Sequence, residues 1–203
     1  MILYDSPSPA PNPRRVRIFA AEKGIELPVQ TVSIVAREHK SPEYLAINPR
    51  GQVPSLALDD GTVLTESVAI CRYLEGLHPE PSLFGSGALE QAQIEMWYRR
   101  VEMILMAPVG VVWVHTHRFT AAIPGRNTEW GEANRPRVIE AMGYFDTALQ
   151  GRSYLAADSY TIADILLLTT IDFAGFIGIP LPDNLTNLRA WHAHISTRPS
   201  AAA

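Results

Sequence analysis

Gln52-Val53-Pro54-Ser55-Leu56 and, a dozen residues on, Glu66-Ser67 flank two short apolar runs joined by Asp59-Asp60-Gly61. Asp-Gly between apolar runs is a hairpin turn signal, so 53–58 and 62–64 read as paired strands. An X-Pro bond takes the cis form at modest cost. A cis Val53-Pro54 bond at the strand start would turn the Val53 N–H and C=O outward, free to pair with an extended peptide. Glu66-Ser67 opens the next helix, 66–77, whose apolar positions are Val68, Ile70, Cys71, Leu74 and Leu77. A helix N-terminus favours an anion, and Glu66 can answer an ammonium. A ligand carrying a peptide bond, a carboxylate and an amine fits this set. The pair also reads as a plain helix cap.

Outward from this core, residues 2–5 read as a short buried strand. Four prolines within Ser6–Pro13 force a loop, because proline has no N–H for a ladder or a helix interior. Pro13 suits the first turn of a helix that Gly24 closes. Residues 28–34 alternate apolar and polar, the pattern of a half-buried strand. Ser41 starts a short helix that stops at Asn48-Pro49-Arg50-Gly51. The order β-α-β-α-β-β-α over 1–77 is a thioredoxin-like arrangement. After a 78–88 linker the pattern is all-helical through 89–203. Helices are predicted over 89–117, interrupted in register at Pro108, then over 132–150, 161–178 and 184–196. Residues 161–178 are almost wholly apolar, as in a helix buried on every side. Thr161 at its N-cap and Asp164 at N3 form a capping box. Ala201-Ala202-Ala203 reads as a frayed end.

Composition narrows the classes. The 203 residues, 47% hydrophobic, suffice for a sizeable core in one large or two small domains. A net charge of −4 with no basic stripe argues against a nucleic-acid partner. No run approaches the ~20 apolar residues of a membrane span. The first residues enter a strand directly and do not read as a signal peptide. One cysteine, Cys71, excludes an internal disulfide and fits a reducing, cytoplasmic compartment. No paired-Cys metal motif is present, so no metal is expected.

The ordered set Asn48–Leu56, Thr65-Glu66-Ser67-Val68-Ala69-Ile70 and Ser159-Tyr160-Thr161-Ile162-Ala163-Asp164 resembles the cytosolic glutathione S-transferases over essentially the whole chain. The resemblance implies a thioredoxin-like glutathione-binding domain followed by an all-α domain with an electrophile pocket. It implies that Val53, before a cis Pro54, pairs with the cysteinyl backbone of glutathione. Glu66 and Ser67 would grip its γ-glutamyl end, His39 and Lys40 its glycine carboxylate, and Gln52 would assist. His39-Lys40 reads equally as a solvated loop. The family's homodimer implies contacts here through helices 66–77 and 89–117. Glutathione would serve as cosubstrate in a detoxification reaction on a small hydrophobic electrophile. Trp113, Phe119 and Trp130 are candidates to line its pocket, although the helical spacing of Trp113 also suits the core.

The chemistry is thiol activation, since a free thiol with a pKa of about 8.5 is only a few per cent ionised at neutral pH. A hydroxyl donor, a helix N-terminus or a cation lowers that value. At the position where Ser or Cys members of the family carry the activating residue, this chain has Ala10. Tyr4-Asp5-Ser6-Pro7 with Pro13-Arg14-Arg15-Val16-Arg17 and Asp59-Asp60-Gly61-Thr62 resembles a fungal and bacterial branch without that residue. There a Ser and a His on the first helix of the second domain are thought to hold an activating water. The matching positions here are Gly110 and Val114, with His115 one further on. The candidates left are the Asn12 amide with the dipole of the helix behind it, His115, and Ser8 or Ser6. Tyr4 reads as packed. Two other readings stay open: a catalytically weak glutathione-binding or ligand-carrying protein, and a glutathione-dependent peroxide or disulfide reductase, which the absence of a cysteine in the active loop weakens.

Overall fold

A computed structural model describes residues 1–7 and 9–203. The chain forms two compact units, Met1–Leu83 with Pro199–Ala203, and Phe84–Arg198.

The first unit contains β1 (Ile2–Asp5), α1 (Pro11–Glu22), β2 (Val29–Thr31), α2 (Pro42–Ile47), β3 (Ser55–Ala57), β4 (Val63–Thr65) and α3 (Ser67–Leu77). Its sheet runs β2-β1-β3-β4. β1 and β2 are parallel, and the other two pairs are antiparallel, with Tyr4 opposite Ser55 and Ser55 opposite Thr65. This is the expected thioredoxin-like order, with α1 and α3 packed against each other. Leu3, Val16, Phe19, Leu56, Ile70 and Leu74 are buried between helices and sheet.

Two local expectations change. β2 is shorter than 28–34 and all three of its residues are exposed, because it is the outer strand and bonds only to β1. The buried valine, Val32, lies just past its end. α1 begins at Pro11, not Pro13, since a first turn tolerates proline at both positions.

Lys23 ties the far end of this unit together. Its side chain is fully buried, 2.6 Å from a Glu75 carboxylate oxygen, and it donates to the carbonyls of His78 and Pro81 at 2.7 Å each. A buried ammonium is tolerable only when its donors are satisfied in this way. Residues 199–202 form a 3-10 turn, not a frayed end. Arg14 donates to the Ala201 carbonyl at 2.8 Å, and the Ser200 hydroxyl bonds Glu22.

The second unit is helical: α4 (Gly87–Arg100), α5 (Ala107–Thr116), α6 (Thr128–Ala148), α7 (Ile162–Phe176) and α8 (Thr186–Ser196). α4 and α5 are joined through a π-helical turn, Val101–Met106, in which the Ala107 N–H reaches back to the Glu102 carbonyl. Pro108 lacks the N–H that an α-helix would send to residue 104, and the wider turn just before it accommodates the loss. Twelve of the fifteen residues of α7 are buried. Asp164 accepts from the Thr161 N–H and hydroxyl at 3.0 Å each, from the Leu155 N–H at 2.8 Å and from the Trp191 indole at 3.1 Å. Among the described residues no helix is long and apolar enough to cross a membrane.

Candidate functional site

Val53–Pro54 is a cis peptide bond at the entry to β3. Among the described residues nothing pairs with the Val53 N–H or C=O. The backbone beside it is held from below by a buried polar network. Tyr44, Asn48 and Ser55 are at most 5% exposed. The Tyr44 hydroxyl donates to the Gln52 carbonyl at 2.7 Å and lies 3.0 Å from the Ser55 hydroxyl. The Asn48 amide donates to the same carbonyl at 2.8 Å and to Ser55 at 3.2 Å, while its oxygen accepts from the Arg50 N–H at 3.1 Å. Burial raises the Tyr44 phenol above its ordinary pKa, so it stays a donor. These bonds explain why Asn48 and Ser55 bracket the motif: each gives up its polar atoms to fix the Gln52–Val53 edge.

Lys40 acts on the same turn. Its ammonium donates to the carbonyls of Arg50 and Gly51 at 3.0 and 2.8 Å. Gly51 has φ +56°, and a Cβ there would lie 2.5 Å from the His39 carbonyl oxygen and 2.8 Å from Lys40 Nζ, so only glycine fits. His39 Nδ1 is buried without a partner among the described residues. Burial, and then the Lys40 charge, hold the His39 ring below its ordinary pKa, so it is neutral at neutral pH. Through Lys40 the loop is tied to the turn that carries Val53, while Lys40 itself remains exposed.

At the β4–α3 junction Glu66 occupies the N-cap with φ +64°, a left-handed conformation uncommon for a residue with a side chain. It makes no side-chain cap bond. Its carboxylate is about 70% exposed and 4.0 Å from Arg50 Nε, an exposed pair worth little. Ser67 follows, 5% exposed, with its Oγ accepting from Arg15 Nη1 at 2.5 Å. The N–H groups of Ser67, Val68 and Ala69 have no intrahelical acceptor. The pair thus does something other than cap α3: one acid stands outward, one hydroxyl is fixed from beneath, and the donors between them are open.

Among the described residues the loop before α1 is sparse in donors. Ala10 is the N-cap of α1 and makes no side-chain bond. Pro11 and Pro13 carry no N–H, so of the first three helical residues only Asn12 offers one. The Asn12 side-chain oxygen is buried without a partner among the described residues. Ser6 is buried, and its carbonyl accepts from Arg17, which also grips both Asp5 oxygens at 2.8 and 2.7 Å. Tyr4 packs edge-on against Tyr44. Ser8 lies outside the described residues.

His115 belongs to the second unit. Its Nδ1 accepts from the N–H of Asn127, the N-cap of α6, at 3.0 Å, and its carbonyl accepts from Arg126. One ring nitrogen is therefore committed to holding the 117–127 loop. Trp113 and Phe119 share an aromatic cluster with His117, Phe173 and Phe176. Trp130 stands apart, lining a groove of about 500 Å³ with Met103, Ile104, Pro108 and Tyr144. Among the described residues no group of three His, Cys, Asp or Glu side chains is placed to hold a metal ion.

The sequence reading missed Arg15 and the positive φ of Glu66. Arg15 sits three and four residues before Ile18 and Phe19, in phase with the buried stripe of α1, and that phase was the available signal. Nothing in a Glu-Ser dipeptide announces a left-handed backbone.

The thioredoxin-like sheet, the unpaired Val53 backbone and the N-terminus of α3 all lie on the first unit. Comparison with known proteins gives the family. The profile of the glutathione S-transferase N-terminal domain matches residues 10–77, and that of the C-terminal domain matches 111–199. Glutathione S-transferase 2 of Saccharomyces cerevisiae is 41% identical over 98% of this chain and 87% of its own length. The solved structure of Gtt2 from Saccharomyces cerevisiae superposes with a TM-score of 0.92 at 40% identity, covering 100% of this chain and 99% of that one. A Gtt2-class glutathione S-transferase of Vibrio parahaemolyticus gives 0.85 at 33% identity over 98% and 94%. The chain belongs to the glutathione S-transferase family and is a glutathione transferase, an enzyme family that uses glutathione as cosubstrate.

Proposed function

We propose that this transferase conjugates the glutathione thiolate to small hydrophobic electrophiles. The thiolate attacks an electrophilic carbon, an S–C bond forms, and a leaving group such as chloride departs with the bonding pair. The observation that carries the reading is the unpaired Val53 backbone on the same unit as the outward Glu66 and the open N-terminus of α3. In this reading Val53 pairs with the cysteinyl backbone, Glu66 with the α-ammonium, and Ser67 with the α-carboxylate. Lys40, His39 and Gln52 border the glycine end. The Asn12 side-chain amide stabilises the thiolate together with the dipole of α1. His115 and Ser8 are the rival activators. The apolar clusters of the helical unit offer surface for the electrophile.

A second reading rests on Ala10: a position with no side-chain donor, ahead of a turn with one N–H, suits a protein that mainly binds glutathione or carries ligands. Calorimetry with glutathione, alongside conjugation of a chloronitrobenzene across pH, separates the two. Binding with turnover that rises as the thiol ionises is expected. Binding without turnover leaves the carrier reading, and no binding at millimolar glutathione removes both. Asn12→Ala should leave the site, and its backbone N–H, in place; a loss of kcat there would credit the side-chain amide, and a loss in His115→Ala would credit the ring.

We also place the enzyme in the cytoplasm as a homodimer. Cys71 is fully buried, with its thiol pushed up to about 12 by burial, and a chain with this single cysteine suits a reducing compartment. Leu77, Leu89 and Met103 stand exposed on α3, α4 and the π turn, apolar surface for a second copy to cover.

A further inference from the structure

We infer that Arg15 is the positioning residue through which Ser67 selects a carboxylate. The inference rests on the glutathione reading above and assigns the recognition of one of its groups. A serine hydroxyl has one proton to give and two lone pairs to receive. Arg15 Nη1 fills a lone pair of Ser67 at 2.5 Å, from a guanidinium only 2% exposed. A guanidinium cannot reverse the bond, because it has no acceptor and does not lose its proton in a protein. Ser67 is thereby held as a donor toward whatever stands before α3. An acceptor there meets this hydroxyl, the free N–H groups of the first turn of α3 and the buried positive charge one bond behind. A carboxylate suits that arrangement and an ammonium does not. The ammonium is left to Glu66, the exposed acid beside it. The two ionic groups on the γ-glutamyl α-carbon are thus sorted by two adjacent residues. Arg15 does the sorting without touching the ligand.

The sorting is read with two glutathione analogues. In 4-aminobutyryl-cysteinyl-glycine the α-carboxylate is missing and the amine kept; in glutaryl-cysteinyl-glycine the reverse holds. A hydrogen-bonded carboxylate is worth about 10- to 100-fold in affinity. Wild type is expected to bind glutathione tighter than the 4-aminobutyryl analogue by that ratio in calorimetry. Arg15→Gln is expected to collapse the ratio to within about 3-fold, weakening glutathione and the glutaryl analogue while sparing the 4-aminobutyryl one; Arg15→Lys, which keeps the charge, should recover part of it. A ratio unchanged in Arg15→Gln, or equal losses for all three ligands, overturns the inference and leaves Arg15 a structural residue. If Arg15→Gln does not fold, Ser67→Ala reads the link from its other end, and a ratio kept there overturns it equally. Failure of wild type to bind glutathione at all overturns the glutathione reading, and this inference with it.

Discussion

At residue scale, Glu66 carries a cost that its fold does not require. Its φ of +64° is a conformation that holds a non-glycine side chain at about 1–3 kcal/mol. Glycine adopts it freely but adds freedom to the unfolded chain. Glu66→Gly should therefore raise stability by a net ~1 kcal/mol while weakening glutathione binding by about tenfold or more. A urea midpoint that falls would mean the junction is not strained. Val53-Pro54 and Glu66-Ser67 were legible in the sequence because backbone edges and helix starts have local signatures. Arg15 was not, because a charged residue on a helix looks solvated until the helix is docked. Lys40 was legible only as a basic residue; that its ammonium closes the 50–51 turn depends on Gly51, eleven residues away, admitting it.

At the scale of elements, the buried start of α7 makes a pH prediction. Burial pushes the Asp164 carboxyl up to about 6, against four donors that favour its charged form. An unperturbed aspartate sits near 3.9, so the native state holds this proton more tightly than the unfolded chain. Its contribution to stability therefore rises as pH falls from about 6 toward about 4, and the cost is full above 6. Asp164→Asn lacks that titration and turns an amide against facing N–H donors. It should cost about 2–4 kcal/mol at pH 7, and wild type should gain on it between pH 7 and pH 5 in chemical unfolding. A gap that narrows over that range would show the carboxyl titrating lower than burial implies. The capping signal of α7 was plain in the sequence because it spans four residues. The π turn of 101–106 was not: Pro108 marked a break in register, but whether a helix kinks, stops or widens there is decided by what packs on either side.

The whole molecule exposes apolar side chains that an isolated chain has no use for. Met103 is 71% and Leu89 73% exposed, on the run of α4 into the π turn that also leaves Met96 and Ile104 exposed. Light scattering of the purified protein is expected to give twice the mass of one chain, and Met103→Glu to shift it toward a single one; a wild type of one-chain mass rules the dimer out. The order of elements made the two-part architecture readable, since a β-α-β-α-β-β-α run followed by helices alone admits few arrangements. The return of residues 199–202 onto α1 left no mark in the sequence, because Pro-Ser-Ala-Ala has neither period nor charge and its role comes from Arg14 and Glu22 at the opposite end of the chain.

That return has a consequence for how the enzyme is made. The helical unit, 84–198, is an insertion between two segments of one fold, the second of them five residues long. A ribosome delivers the sheet, α1 and α3 before the helical unit, yet the surface of α1 that Pro199–Ala203 contact stays uncovered until these residues follow it. The first unit is thus begun before the helical unit and completed after it, and a nascent chain holding residues 1–198 still lacks the clasp on α1.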